Sequence, residues 1–392
     1  MMKRSLLFPF LFVFLIPLTG SSQDHSTVFS PIAQNTVAKL IKIHGDYPSN
    51  GISFVPEINL NWTLRGERNW HKLYEHIEFG VSLSGADFGN SEILGQAFSA
   101  IPYFSLKTQI GDRSYLGGRM GFGVSLFNKP FDQIKNPENV VIGSVVNAAA
   151  IFNAYFEREL NDKFNLIAGV NGFHYSNIHL KVPNIGANVL GVNIGLKYLL
   201  PTDPVDPIAF AERPSVKYPR FGIGAGMGLQ AFRGTIRPAD GPVYPVYTGQ
   251  AFVMWPSGKR GFWSSGVIYN YMTSSYQFIL GQDLDVHPED AKKKSSNVVV
   301  FGAHEWMFGH FAFQLMVGIN VYDPFTPLFN DLKSSAEDRN GLTRWTANKI
   351  GFKYYPMRHS DAAMKLQPVL GCAVKAAGGS ADFLEATVGI VF

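Results

Sequence analysis

Ser380-Ala-Asp-Phe-Leu-Glu-Ala-Thr-Val-Gly-Ile-Val-Phe392 is the stretch whose reading decides the fold. Its residues separate by parity. Leu384, Ala386, Val388, Ile390 and Phe392 make an apolar stripe, while Phe383, Glu385, Thr387, Gly389 and Val391 lie opposite. Period two describes an extended strand with two unlike faces. An aliphatic stripe closing on an aromatic suits a strand whose outer face meets lipid and whose inner face meets a polar interior. Both edges of such a strand must be paired, because hydrocarbon offers backbone groups no water.

The same alternation recurs upstream. Leu116, Gly118, Met120, Phe122 and Val124 alternate with Tyr115, Gly117, Arg119, Gly121 and Gly123; Phe98, Ala100, Phe104 and Leu106 alternate with Ser99, Tyr103, Ser105 and Lys107. The cationic members belong on the interior side, where charge is tolerated. Strands are predicted near 36–44, 50–64, 75–87, 96–110, 114–126, 142–158, 163–177, 186–200, 218–232, 244–256, 261–273, 296–308, 310–322, 345–356, 363–375 and 380–392. The expected fold is therefore all-β, a transmembrane antiparallel β-barrel of the outer-membrane type with about 16 strands, or 14 if two early ones drop out. A soluble two-sheet sandwich would also alternate, but nothing in it favours a terminal aromatic. The stretches 127–141, 201–217, 274–295 and 323–344 are expected to be solvated loops, Pro288–Ser296 included. The Pro-rich 201–217 segment is a possible seam between two halves; one closed barrel is the simpler expectation, since splitting it creates new edges.

Composition agrees. Aromatic residues make up 14% and charged residues only 16% of the chain, with 39 glycines, against about 25% charged residues in soluble domains. The first residues, Met1-Met2-Lys3-Arg4, precede an apolar run from Ser5 to Leu18 and a small polar exit, Thr19-Gly-Ser-Ser22. This reads as a signal peptide over 1–22, and so as a secreted chain bound for the cell outer membrane. As a membrane anchor the run is short of the roughly 20 residues a span needs. A short segment at 23–35 would follow, then a half at 36–200 and the remaining barrel strands at 201–392. The net charge of +4 does not argue for a nucleic-acid partner. The one cysteine, Cys372, excludes an internal disulfide and a cysteine-built metal site, leaving a packing role. His304, Glu305 and His310 have no helical metal-ligand spacing. Gly222–Gly228 is glycine-rich but sits in a strand pattern with no following helix. No metal and no nucleotide or redox cofactor is expected.

The chemically informative hairpin spans 162–200. Phe164, Leu166, Ala168, Val170 and Gly172 share one face, and His174 and Ser176 continue it. On the returning strand Leu190, Val192, Ile194, Leu196 and Tyr198 form an apolar stripe that Asn188 extends. A turn centred near Lys181–Pro183 would pair Ser176 with Asn188 and His174 with Leu190. Polar side chains on a lipid-facing wall cost free energy unless they lie near the interface or have a task. The task that fits is attack on an ester: the imidazole takes the proton of the Ser176 hydroxyl, a third group orients the His, and donors hold the oxyanion.

Gly172-Phe-His-Tyr-Ser-Asn177 and Pro183-Asn-Ile-Gly186 resemble the signature of the lipid A 3-O-deacylase family of outer-membrane enzymes. Trp70-His-Lys-Leu-Tyr74, Leu94-Gly95, Asn136-Pro-Glu-Asn139 and Ile142-Gly-Ser144 resemble its Bacteroidetes branch, usually labelled acyloxyacyl hydrolase. So, in the second half, do Lys365 and Ala381-Asp-Phe383. The resemblance implies that Ser176 is the nucleophile and His174 the base, with lipid A or another outer-leaflet lipid as substrate. It implies an oxyanion role for Asn177. The family's Glu position falls on Asn188, and its small residue shortly after the Ser is His179. An amide can orient an imidazole but cannot neutralise imidazolium with full charge, so either the triad is weaker or a carboxylate comes from elsewhere.

If the chain enters from the periplasm, the seventh strand ascends and the 177–187 loop faces outside, beside the outer leaflet. A pore or structural barrel without catalysis is the alternative of another class, and a phospholipase is a third. Conductance without ester hydrolysis would mark the former; hydrolysis of purified phospholipids would mark the latter.

Overall fold

The computed structural model describes residues 27–42, 47–64, 70–74, 76–200, 219–232, 239, 241–282, 286–332, 345–357, 366–377 and 380–392. The expected signal peptide and the 201–217 segment lie outside these. Among the described residues no helix is long and apolar enough to cross a membrane. Most of the chain's regular structure is in strands.

In chain order they are β1 (Thr27–Phe29), β2 (Ile32–Ile41), β3 (Ile52–Leu64), β4 (Ile77–Asp87), β5 (Gln96–Gly111), β6 (Ser114–Phe127), β7 (Val146–Glu159), β8 (Phe164–Ser176), β9 (Ala187–Tyr198), β10 (Arg220–Ala231), β11 (Val243–Ser257), β12 (Gly261–Met272), β13 (Ser296–Phe308), β14 (Phe311–Tyr322), β15 (Thr346–Tyr354), β16 (Gln367–Ala377) and β17 (Ser380–Val391). All the predicted strands are present. β2 starts four residues earlier than the alternation suggested, and the short β1 had no period-two signal. All pairings are antiparallel, but they close two circuits rather than one. β2 pairs with β9 and β3 with β4, closing β2 to β9; β17 pairs with β10, closing β10 to β17. The expectation of one closed circuit is thereby corrected to two barrels of eight strands. Edge avoidance does not decide between them, since each circuit closes on itself and leaves no open edge among its own strands.

The terminal strand behaves as its pattern demands. Val388, Ile390 and Phe392 are exposed on the outer wall, Phe383, Glu385 and Val391 are buried inside, and the strand pairs with both β10 and β16. Trp255 faces Trp263 across the β11–β12 ladder, and Tyr247 faces Tyr271 eight positions away. At about 3.4 Å per residue the two aromatic pairs are ~27 Å apart along the strand. With strands tilted by about 40° that is ~21 Å of height, placing the pairs near the two boundaries of an apolar band about 25 Å tall.

Inside the first barrel, parity delivers polar residues to a space that eight strands leave just wide enough for side chains. Arg119 pairs with Glu57 at 3.0 Å, and Glu57 also accepts from Gln34 at 2.7 Å, Ser82 at 3.0 Å and Asn171 at 2.8 Å. Lys197 reaches Glu78 at 2.6 Å, and Lys107 reaches Glu78 at 3.2 Å and Glu157 at 2.9 Å. Three carboxylates therefore meet three cations. Buried charge survives here because each carboxylate is both paired and hydrogen-bonded. The water-filled bore implied by a polar inner face is instead a packed, charge-balanced core.

In the second unit Glu305 accepts from Lys353 and the Tyr355 hydroxyl, both at 2.6 Å. His310 Nδ1 bonds the Tyr355 carbonyl at 2.8 Å, and His304, of opposite parity to Glu305, meets Ser257 at 3.0 Å. Cys372 is a free thiol in β16. The expected loops 274–295 and 323–344 contain helices: α1 (Thr273–Gly281), α2 (Pro288–Lys294) and α3 (Phe325–Leu332). Phe325, Phe329, Ile279 and Ala291 bury together, with Phe278 packed against them, which the polar composition of the flanks concealed. α2 has Pro288 in its first turn with Glu289 and Asp290, and Lys292, Lys293 and Lys294 in its last. That order fits the helix dipole.

Candidate functional site

β8 is the seventh strand of the first circuit, counted from β2. Its inward parity carries Asn171, bonded to Glu57, and Phe173 and Tyr175, which pack in the core with Phe88 and Phe127. Its outward parity carries Val170, 50% exposed, then Gly172, His174 and Ser176. On β9 the outward residues are Asn188, Leu190, Val192, Ile194 and Leu196, the last four all exposed. His174 and Ser176 thus share the outward parity at the end of the stripe, Ser176 itself being buried at 4% exposure.

The register differs from the expected one by two residues. His174, not Ser176, stands opposite Asn188, and Gly172 stands opposite Leu190. A shift of two keeps every side chain on its own face. The cause is the loop: the ladder ends at the Tyr175–Ala187 pair, and Ile178 and His179 turn left-handed at φ 54° and 60°. A branched residue in that region carries strain. Asn177 lies beyond the last ladder pair and outside β8, so strand alternation does not fix its direction.

Three short contacts organise the site. His174 Nδ1 lies 2.7 Å from Asn188 Oδ1. Asn184 Nδ2 donates to Ser176 Oγ at 2.9 Å, and Asn184 Oδ1 accepts from the Asn177 backbone N–H at 3.0 Å. With its oxygen held by a backbone donor, the Asn184 amide has one orientation, and its N–H is aimed at the serine oxygen. His174 and Ser176 both border Gly186, whose φ is +82°. A Cβ there would sit 3.3 Å from His174 Cε1 and 3.8 Å from Ser176 Cβ.

Asn177, expected as an oxyanion donor, is 4% exposed and holds Asn184 through its backbone. Asn184 lies in the Pro183–Gly186 stretch, to which the sequence assigns no chemical task. Its offset of eight residues from Ser176 has no strand periodicity, so only the folded loop reveals the contact.

The loop from Asn128 to Val145 braces this geometry. Asn139 Oδ1 accepts from the N–H of Val141 at 3.1 Å and of Ile142 at 3.2 Å, and the Val141 carbonyl receives the Gly186 N–H at 3.0 Å. A Cβ on Gly143 would overlap the Pro183 carbonyl, so the two loops touch where glycine allows it. Asn136 Nδ2 donates to the Ile93 carbonyl at 2.9 Å, tying in the next loop. Tyr47, from the β2–β3 connection, is buried, and its hydroxyl donates to the Gly186 carbonyl at 2.6 Å. Burial pushes its pKa up to about 12.

The first circuit is a closed antiparallel barrel of the outer-membrane type, with an apolar outer wall and Ser176, His174 and Asn188 together at one end. Residues 56–197 match the sequence model of the family described as lipid A 3-O-deacylase (PagL). The match runs from β3 through β9, includes His174, Ser176, Asn177, Asn184 and Asn188, and leaves the second barrel outside it. No curated protein matches the chain. Among solved structures, the outer-membrane enzyme PagL is 19% identical, with a TM-score of 0.29, over 43% of this chain and 99% of its own. Neisserial surface protein A is 14% identical, with a TM-score of 0.29, over 44% and 97%. The translocator domain of the autotransporter NalP from Neisseria meningitidis is 8% identical, with a TM-score of 0.20, over 97% and 92%.

Proposed function

We propose that the first barrel is an outer-membrane esterase that removes an ester-linked acyl chain from lipid A or a related glycolipid. The observation that carries this reading is the outward-facing row in which Asn188 holds His174 and Asn184 holds Ser176, inside the stretch that matches the deacylase family. With Nδ1–H donated to Asn188 Oδ1, the lone pair of His174 resides on Nε2, which takes the proton from Ser176 Oγ as that oxygen attacks the ester carbonyl. The carbonyl oxygen becomes an oxyanion within reach of Asn184 Nδ2. Collapse expels the sugar alkoxide, which receives the proton from His174. Water then cleaves the acyl-enzyme by the same steps, returning Ser176 and a free fatty acid.

The rim fits an outer-leaflet substrate. The connections at the site end span 42–51, 88–95, 128–145 and 177–186, whereas two at the far end are 112–113 and 160–163. Short periplasmic turns and long outer loops are the rule in such barrels. The packed interior of the first barrel disfavours a pore there. Mass spectrometry of lipid A from cells with and without the gene tests the substrate; identical acylation overturns it. Turnover of purified phospholipids in micelles, with lipid A untouched, would move the assignment to a phospholipase.

A further inference from the structure

We propose that Lys39, with Lys42 beside it at the rim, binds a phosphate on the headgroup of the glycolipid whose ester Ser176 attacks. This rests on the esterase reading of the site and adds the group by which the substrate is held. The starting observation is a cation on the outer wall. Lys39 shares the outward parity of β2 with Val37 and Ile41, and all three are exposed. Across the ladders it stands opposite Leu190 of β9 and Ile52 of β3, both exposed as well. A lysine ringed by four aliphatic side chains on a lipid-facing wall costs free energy unless its ammonium reaches the interface and finds an anion.

The other charged side chains at outward positions in β2 to β9 are spent on the protein. Arg158 donates to the Asp112 carbonyl and to Ser114 Oγ at the far end, and Asp87 accepts from the Gly89 N–H and from Gln96 Nε2. Among the described residues Lys39 and Lys42 make no side-chain hydrogen bond or ion pair. Their counter-ion must come from outside the chain, and at this wall the source is the lipid headgroup. Register puts them next to the site. His174 faces Asn188, Asn188 faces Ile41, and Lys39 is one rung below Ile41 toward the membrane. Two strand spacings and one two-residue step leave about 12 Å between the Cα atoms of His174 and Lys39. The long lysine stem, climbing past Ile41 to the rim, brings its ammonium within the compass of the same headgroup. Lysine serves phosphate as a compact point charge, and a phosphate has oxygens enough for both lysines.

The test uses the full chain refolded in detergent micelles and two substrates, lipid A with its phosphates and lipid A from which they have been removed. On the first, Lys39→Gln combined with Lys42→Gln should raise KM about tenfold, the scale of losing hydrogen bonds to a charged group, with kcat within about twofold. On the second, the unsubstituted and substituted chains should agree within about twofold. Lys39→Arg with Lys42→Arg, which keeps the charge, should restore KM on the first. An unchanged KM on phosphorylated lipid A, or an equal loss on both substrates, overturns the proposal. Binding is read separately from turnover with the Ser176→Ala chain, by phosphorus-31 titration of phosphorylated lipid A. The paired Gln substitutions should weaken binding about tenfold, and inorganic phosphate at the same concentration should not compete. Full competition by inorganic phosphate would mark a site for the free ion and overturn the headgroup assignment. If the unsubstituted chain hydrolyses neither substrate, the esterase reading fails, and the titration still decides whether the lysines hold the phosphate.

Discussion

His174 faces Asn188 directly across the β8–β9 ladder, with 2.7 Å between Nδ1 and Oδ1. The partner that orients the proposed base is therefore a neutral amide on the adjacent strand, placed by sheet register rather than by a loop. Oriented but uncharged support predicts a slower enzyme than a carboxylate would give. Substituting Asn188→Glu should raise kcat by about tenfold or more, the reverse of what triads lose when the carboxylate is removed, and Asn188→Ala should lower it by about 100-fold. Steady-state hydrolysis of lipid A in micelles measures both. A slower Asn188→Glu enzyme would show that the site is built around the amide.

Ser176→Ala should abolish deacylation, by roughly 1,000-fold or more, because the covalent route needs the hydroxyl. The barrel should still assemble, since the serine lies at the end of its strand. Lipid A mass spectrometry and heat-modifiable gel migration separate the two effects. Retained deacylation by an assembled Ser176→Ala barrel would show that the nucleophile lies elsewhere.

Asn184→Ala should cost about 100- to 1,000-fold in kcat, the range for loss of one oxyanion donor, with KM little changed. Asn184→Asp keeps the acceptor for the Asn177 N–H but removes the donor toward Ser176, so it should be nearly as slow. If Asn184 only held the loop, Asn184→Asp would retain most of the activity.

Gly186→Ala places a methyl 3.3 Å from His174 Cε1 at a backbone φ of +82°. It should lower activity and cost about 1–2 kcal/mol of stability. Gly172→Ala on the same strand face meets its nearest atom at 3.7 Å and should be close to neutral in both. Urea titration of folded fraction in vesicles, alongside hydrolysis, compares the pair.

Glu57→Ala leaves Arg119 buried without its partner and removes acceptors for Gln34, Ser82 and Asn171. A loss of about 3–5 kcal/mol in unfolding free energy is expected, with little change in the outer-wall site. The same urea titration measures it. A loss below about 1 kcal/mol would show that water enters the core and screens the pair.

The strands were legible because their signal is local. In Leu384 to Phe392 or Leu116 to Val124, each side chain meets either lipid or the interior, and period two records which. The outward placement of His174 and Ser176 followed from the same parity, which survives a register shift of two. The helices were missed because α1 and α3 are held by clustered aromatics from separated stretches, not by a sustained periodic face.

What the sequence determined by itself, then, is the alternation, the strand count and the face on which the serine and histidine stand. Tertiary structure decided which strands close on which, so that β9 meets β2 and β17 meets β10. It decided that His174 meets Asn188, that Asn184 turns back to Ser176, and that Tyr47 bonds the carbonyl of a residue 139 positions away. The physical reason is the range of the forces. Burial against lipid acts on each residue where it stands, whereas closure, register and side-chain hydrogen bonds exist only between segments that folding brings together.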